Sequence, residues 1–212
     1  MAKSTTELTG EYIQEHPHIK NCLKKDLINY SSLARLISKE LKIENKSSKE
    51  AILIAARRFQ DKLKRELSNE RKIKTLLTKS EIGIKNKIGV LILRKFIDLD
   101  YVIELQKNAR KENGMMYVLE GTDNYTIITQ EKYAQILHEK YEGNTIKYHN
   151  DLVIIDFKSP EEIEKVTGVI SYLTSLFAEN GVNILEFFSC WRDTIFVIDK
   201  KDMDKAIKFL NF

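Results

Sequence analysis

Residues 151–210 read DLVIIDFKSPEEIEKVTGVISYLTSLFAENGVNILEFFSCWRDTIFVIDKKDMDKAIKFL, and their periodicity decides the fold. Residues 152–157 form a short apolar run rich in β-branched side chains, closed by Ser159-Pro160, which predicts a buried strand. The period then changes. Val169, Leu173, Leu176 and Phe177 recur at helical spacing, with Ser171, Thr174, Ser175 and Glu179 between them. Asn180-Gly181 ends that helix, because glycine accepts the left-handed conformation common at a helix C-terminus. Residues 183–190 and 194–198 read as two strands joined through Trp191-Arg192-Asp193. Met203, Ala206, Ile207 and Leu210 mark a last amphipathic helix.

Thr167-Gly168-Val169, followed by Leu173, Leu176 and Gly181-Val182-Asn183-Ile184, resembles the core pattern of the ACT domain, the amino-acid-sensing module of aspartokinases and other regulated enzymes. The resemblance implies a ferredoxin-like βαββαβ fold over residues 150–212, pairing through sheet edges. It also implies a small ligand, often an amino acid, near the loop before the first helix. That places candidate ligand-binding residues at Lys165, Val166, Thr167, Gly168 and Val169, with Asn183 and Ile184 on the adjoining strand. The chemistry is independent of the family. A glycine at a helix start lets a ligand approach the backbone, and free N–H groups there favour a carboxylate. Lys165 adds charge to the loop or is simply solvated, and Gly168 serves either a ligand or close helix–sheet packing. Members often carry proline where this chain has Thr167, which can still cap a helix.

Residues 81–149 carry a fainter echo of the same order. Residues 88–93 are strand-like; Tyr101, Val102 and Leu105 sit on a helix; residues 115–119 and 125–129 are strands around the turn 121–124. Tyr133, Ile136 and Leu137 mark a second helix, and residues 145–148 a closing strand. The order predicts a degenerate ACT-like unit. Its loop Lys95-Phe96-Ile97-Asp98 lacks glycine, so its expected role is to pair its sheet with the other unit.

Residues 1–80 read as a helical domain and linker. Leu8, Tyr12 and Ile13 form one stripe, Ile19, Cys22 and Leu23 a second, and Leu33, Leu36, Ile37 and Leu41 a third. Ser47-Ser48-Lys49-Glu50 has the spacing of a capping box with Ser47 as cap. It opens a long helix buried through Ile52, Ala56, Phe59, Leu63 and Leu67, with Arg57, Arg58, Lys62 and Arg65 on its wet flank. Two helices joined through Glu44-Asn45-Lys46 resemble a helix-turn-helix, which makes Lys49, Arg57, Arg58 and Lys62 candidate DNA contacts. The alternative is a helical packing or dimerisation module. Residues 68–85 read as a linker or helix tail.

Charge is uneven along the chain. Residues 1–80 hold 18 Lys and Arg against 10 Asp and Glu, a net +8, and the remainder 17 against 21, a net −4. A basic half can attract phosphate, but lysine-rich solvated helix faces have the same composition. Hydrophobic content of 42% and only two prolines indicate an ordered chain. The polar start MAKSTTELTGEY is not a signal peptide and no apolar run spans a bilayer, so a cytoplasmic protein is expected. Cys22 and Cys190 show no metal or redox spacing and are expected to be reduced, partly buried thiols.

No phosphate loop, nucleophile elbow or metal-ligand set is present, so neither catalysis nor a cofactor is expected. His16 and His18 flank a proline as a solvated helix start, and Asp156, Glu186 and Asp193 read as strand-end or loop charges. Two functional classes remain. One is a ligand-responsive transcription regulator, similar in plan to the leucine-responsive regulatory proteins and expected to be dimeric. The other is a regulatory subunit docking on a metabolic enzyme. The chain also resembles archaeal ACT-domain proteins whose helices carry a run like Asn29-Tyr30-Ser31-Ser32-Leu33-Ala34-Arg35.

Overall fold

Ser4 starts the first helix as its sequence dictates. Its hydroxyl accepts the Glu7 amide at 3.2 Å while the Glu7 carboxylate accepts the Ser4 amide at 2.8 Å. The computed structural model describes residues 3–65 and 68–212, in two units, Met1–Lys72 and Ile73–Phe212.

The first unit packs α1 (Thr5–Glu15), α2 (Pro17–Lys24), α3 (Tyr30–Glu40) and α4 (Lys49–Arg65) around Ile13, Leu23, Leu33, Ile37, Ile52, Ala56 and Leu63. Pro17 occupies the first turn of α2, where its missing N–H costs nothing. The α4 start differs from the sequence reading. Ser48, not Ser47, accepts from Ala51 at 3.1 Å, because the helix opens one residue later; Ser47 shares a 2.7 Å hydrogen bond with Thr5. In the third stripe Leu36 is 40% exposed, and Ala34 and Ser38 are buried in its place. Leu67, expected on the buried stripe of α4, lies outside the described residues, as does the side chain of Arg65.

One buried polar residue ties these helices together. The Gln60 amide of α4 donates to the Leu23 carbonyl at 2.8 Å and to Asp26 at 2.9 Å, and its oxygen accepts from Tyr30. The end of α2 and the start of α3 are thereby fixed on α4, with every Gln60 partner satisfied from within the unit.

The second unit is α+β. The helix α5 (Ser68–Thr78) precedes β1 (Glu81–Arg94), α6 (Leu99–Lys111), β2 (Met116–Glu120), β3 (Asn124–Gln130), α7 (Glu131–Lys140) and β4 (Thr145–Lys158). Then come α8 (Val169–Glu179), β5 (Ile184–Cys190), β6 (Asp193–Asp199) and α9 (Met203–Phe209). The strands form one antiparallel sheet in the order β2-β3-β1-β4-β6-β5.

The single sheet corrects two readings of the sequence. Residues 145–148 and 152–157 are one strand, so the expected boundary between 149 and 150 falls inside β4. Residues 81–85, read as linker, are also strand, and they pair with residues 154–158. Both long strands change register near their middles, between Lys85 and Ile88 and beside the left-handed Asp151 (φ 55°). Two four-stranded halves result. Residues 88–94 serve the half that contains β2 and β3; residues 81–85 supply the fourth strand of the half that contains β5 and β6. The C-terminal half therefore takes a strand, and Ile73, Leu76 and Leu77 of α5, from far upstream. Local periodicity cannot announce such a pairing.

Outer faces carry the helices. One outer core joins Leu91 and Leu93 to Val102, Tyr133 and Leu137; the other joins Val153, Phe157 and Phe196 to Leu77, Leu173, Phe177 and Ala206. The inner face, with Ile88, Val90, Ile128, Leu152, Ile154, Ile195 and Val197, is covered by the sheet itself. Tyr117 on β2 and Phe188 on β5 belong to opposite edge strands, yet their rings lie 4.8 Å apart. Only a curled sheet brings them together.

Gly89 is where α7 comes nearest to β1. A Cβ built there lies 2.5 Å from the Ala134 Cβ, a fixed atom on a helix. Gly89→Ala is expected to destabilise the chain by about 1–3 kcal/mol through overpacking. Ala134→Gly, which alone costs about 1 kcal/mol of helix propensity, should restore part of that loss in the double variant. Urea denaturation of the four proteins checks it; strictly additive losses would show that the two residues do not collide.

Candidate functional site

The loop before α8 is anchored at its first residue. The Ser159 amide donates to the Arg192 carbonyl at 2.9 Å, and the Arg192 Nε donates to the Ser159 carbonyl at 2.7 Å. After Pro160 the chain makes a 3₁₀ turn over Glu161–Lys165 and reaches Val166, Thr167 and Gly168. Gly168 caps α8 with φ 91°, a conformation that side chains disfavour, and it brings no side-chain acceptor to the first-turn N–H groups. A Cβ at Gly168 would meet only Ile73, at an ordinary 3.6 Å. The glycine is thus required by backbone conformation and not by close helix–sheet packing.

Lys165, Thr167 and Gly168 are exposed, Val166 is half-buried, and Val169 turns into the core. Asn183 and Ile184 lie beyond the far end of α8. Its eleven residues span about 16 Å at the α-helical rise, so one chain does not bring the two sets together. The family resemblance placed both on one site, but α8 carries the chain back along the sheet before β5 begins. Sequence reasoning missed Ile73, whose signal is the spacing of Ile73, Leu76 and Leu77 on α5.

Residues 148–211 match the family model of the ACT domain. The matched segment thus contains the loop, α8, β5, β6 and α9, but neither α5 nor β1. Among curated proteins none matches the chain. The solved structures it is similar to include aspartate kinase from Clostridium acetobutylicum, at 15% identity and a TM-score of 0.49 over 61% of this chain and 33% of that one. The chain thus spans about a third of that enzyme's length. A putative C-terminal regulatory domain of aspartate kinase from Porphyromonas gingivalis W83 is 12% identical, with a TM-score of 0.45 over 62% of this chain and 94% of that one. The ligand-free regulatory subunit of aspartate kinase from Thermus thermophilus is 11% identical, with a TM-score of 0.46 over 61% and 92%.

In the helical unit Lys49, Arg57, Arg58 and Lys62 are all exposed on α4. They do not form one stripe: at ~100° per residue Arg57 and Arg58 point about 100° apart and Lys49 and Lys62 about 140°. Asp61 and the 49%-exposed Ile54 share that surface, and the Arg57 guanidinium lies 5.3 Å over the Tyr30 ring. The connection between α3 and α4 runs from residue 41 to 48, longer than the short turn of a helix-turn-helix.

Other expected features are placed differently. Asp156 lies two residues from the end of β4, against Lys85 at 3.3 Å, and its carboxylate fills the space a side chain on Gly83 would need. Glu186 is half-buried; burial pushes its carboxyl up, with the charge of His149 working the other way. Cys22 and Cys190 are exposed, not partly buried, since one faces out from α2 and the other ends an edge strand. Among the described residues no three His, Cys, Asp or Glu gather for a metal ion, and no helix is long and apolar enough to cross a membrane.

Proposed function

We propose that this chain is a non-catalytic regulatory protein that senses a small carboxylate ligand, of the amino-acid class, at the loop Lys165–Val169. The observation that carries the reading is Gly168: within the ACT-matching segment, a left-handed glycine starts α8 without a side-chain cap. The first-turn N–H groups and the positive end of the helix then favour a carboxylate. Asn183 and Ile184 join such a site only from a second copy of the chain, which fits a dimer. The helical unit is the output arm. Ile54 and Asp61, set among the scattered basic residues of α4, favour a protein partner, such as the enzyme it regulates, over a DNA backbone.

Thermal-shift screening against the twenty amino acids tests the sensing. Ligand at 100 times its Kd adds about 2.7 kcal/mol to the native state. The informative variant is Gly168→Asn. Asparagine tolerates the left-handed region better than other side chains, and its amide oxygen can cap the same N–H groups. Ligand affinity should fall at least about tenfold while the circular dichroism spectrum is retained. Gly168→Val is less useful, because a β-branched residue at φ 91° strains the backbone whatever it does to the ligand. Unchanged affinity in Gly168→Asn would place the ligand elsewhere.

A further inference from the structure

The curl of the sheet leaves a second candidate site, lined by none of the residues of the loop before α8. Strands β2 and β5 are the two edges of the sheet, and they approach without pairing. Between them lies a cavity of about 550 Å³, within the range of small-molecule pockets. Met115, Tyr117, Leu119 and Phe188 give it apolar walls, and Arg110, in the last turn of α6, stands on its rim.

Two observations show which way the β2 backbone faces. In the hairpin to β3 the Gly121 amide donates to the Asn124 carbonyl at 2.9 Å, so residues 119 and 117 continue the hydrogen-bonded pairs. Met116 and Val118 then turn their N–H and C=O groups away from β3. Independently, the Met116 carbonyl accepts from the Gln106 side chain of α6 at 2.8 Å, which requires the same orientation. The Met116 carbonyl is thus occupied, while the N–H groups of Met116 and Val118 open on the cavity beside Arg110. Arg110 forms no ion pair among the described residues. Glu112, two residues on from Arg110, is engaged by Lys132 and Tyr133, and Glu120 at the end of β2 by Lys95 at 2.9 Å; at Tyr117 the charge of Lys85 opposes those of Asp156 and Asp193.

We infer that the seam between β2 and β5 binds a small carboxylate with an aromatic or branched apolar body. The guanidinium of Arg110 and the open N–H groups of β2 hold the carboxylate, and the body lies against Tyr117, Leu119 and Phe188. Charge selects the ligand's head and the apolar walls its tail. The site is distinct from the loop at Gly168, which starts α8 on the outer face of the sheet, whereas Tyr117, Leu119 and Phe188 pack on the inner face.

Phenylacetate is the probe, and benzylamine, with the same ring and opposite charge, is its control. Calorimetry on the full chain should show heat for phenylacetate at millimolar concentration and none for benzylamine. Arg110→Met keeps the length and removes the charge, and should weaken phenylacetate about tenfold or more with an unchanged melting temperature. Ser189→Trp, at an exposed position on the cavity wall, should fill the seam and abolish the heat. Gly168→Asn should leave phenylacetate untouched, so failure of the loop reading and failure of this one are told apart. No binding of phenylacetate, equal binding of benzylamine, or full affinity in Arg110→Met would overturn the inference. So would sedimentation of a dimer that Ser189→Trp dissociates, since the seam would then be filled by a second copy.

Discussion

Replacing Phe196 by alanine should lower the stability of the second unit by about 3–5 kcal/mol, the range for deleting a buried aromatic ring. Phe196 is wholly buried, on a strand with neighbours on both sides. Its ring lies 4.7 Å from that of Phe177 on α8, 5.1 Å from Phe187 on β5 and 5.9 Å from Phe157 on β4. These contacts join two neighbouring strands and a helix through one side chain. The site cannot collapse easily, because β4 and β5 hold their spacing through the ladder to β6. Since a domain is stable by only about 5–15 kcal/mol, this one change removes a large share. Urea denaturation followed by circular dichroism measures it. Ile54→Ala in the helical unit, at a half-exposed position, should shift its midpoint far less. A loss below about 1 kcal/mol for Phe196→Ala would mean that the aromatic cluster does not hold the half-sheet together.

The members of that cluster were legible from local pattern. Val169, Leu173 and Phe177 fall on one helical face and bury together as the spacing requires. The strands at β5 and β6, and the turn between them, were readable from β-branched and aromatic runs. What escaped the reading was non-local. Glu81-Ile82-Gly83-Ile84-Lys85 alternates like a strand, but charged neighbours on the N-terminal side masked it, and nothing local identifies β4 as its partner. The separation of Asn183 from the loop is likewise not visible in local pattern, because it depends on the course of α8 between them. Gly168 was legible as a special position, and the structure gives its cause as a positive φ. The α4 cap was misread by one residue because Ser47 and Ser48 both suit the role, and only the place where the helix begins distinguishes them.

Strand sharing sets up the largest effect of all. A fragment of residues 145–212 contains the whole ACT-matching segment, yet it should show no cooperative thermal transition. In the intact chain residues 154–158 of β4 pair on one side with β6 and on the other with residues 81–85. Cutting β1 away turns β4 into an edge and leaves its backbone groups without partners on that side. The same cut removes Ile73, Leu76 and Leu77, all nearly fully buried against Phe157, Leu173 and Phe177. Each such side chain is worth about 1.5–3 kcal/mol of burial, and a chain this short has little stability to lose. Together the losses match or exceed the total that holds a small domain folded. A fragment of residues 68–212 keeps both contributions and should melt cooperatively. Mixing the short fragment with a peptide of residues 68–86 should restore β-sheet circular dichroism in proportion to peptide concentration, because binding of the peptide is then linked to folding. If residues 145–212 alone melt as sharply as residues 68–212, the C-terminal half needs neither α5 nor the strand at 81–85. The two halves of the sheet would then be independent modules joined in series, not modules built through one another.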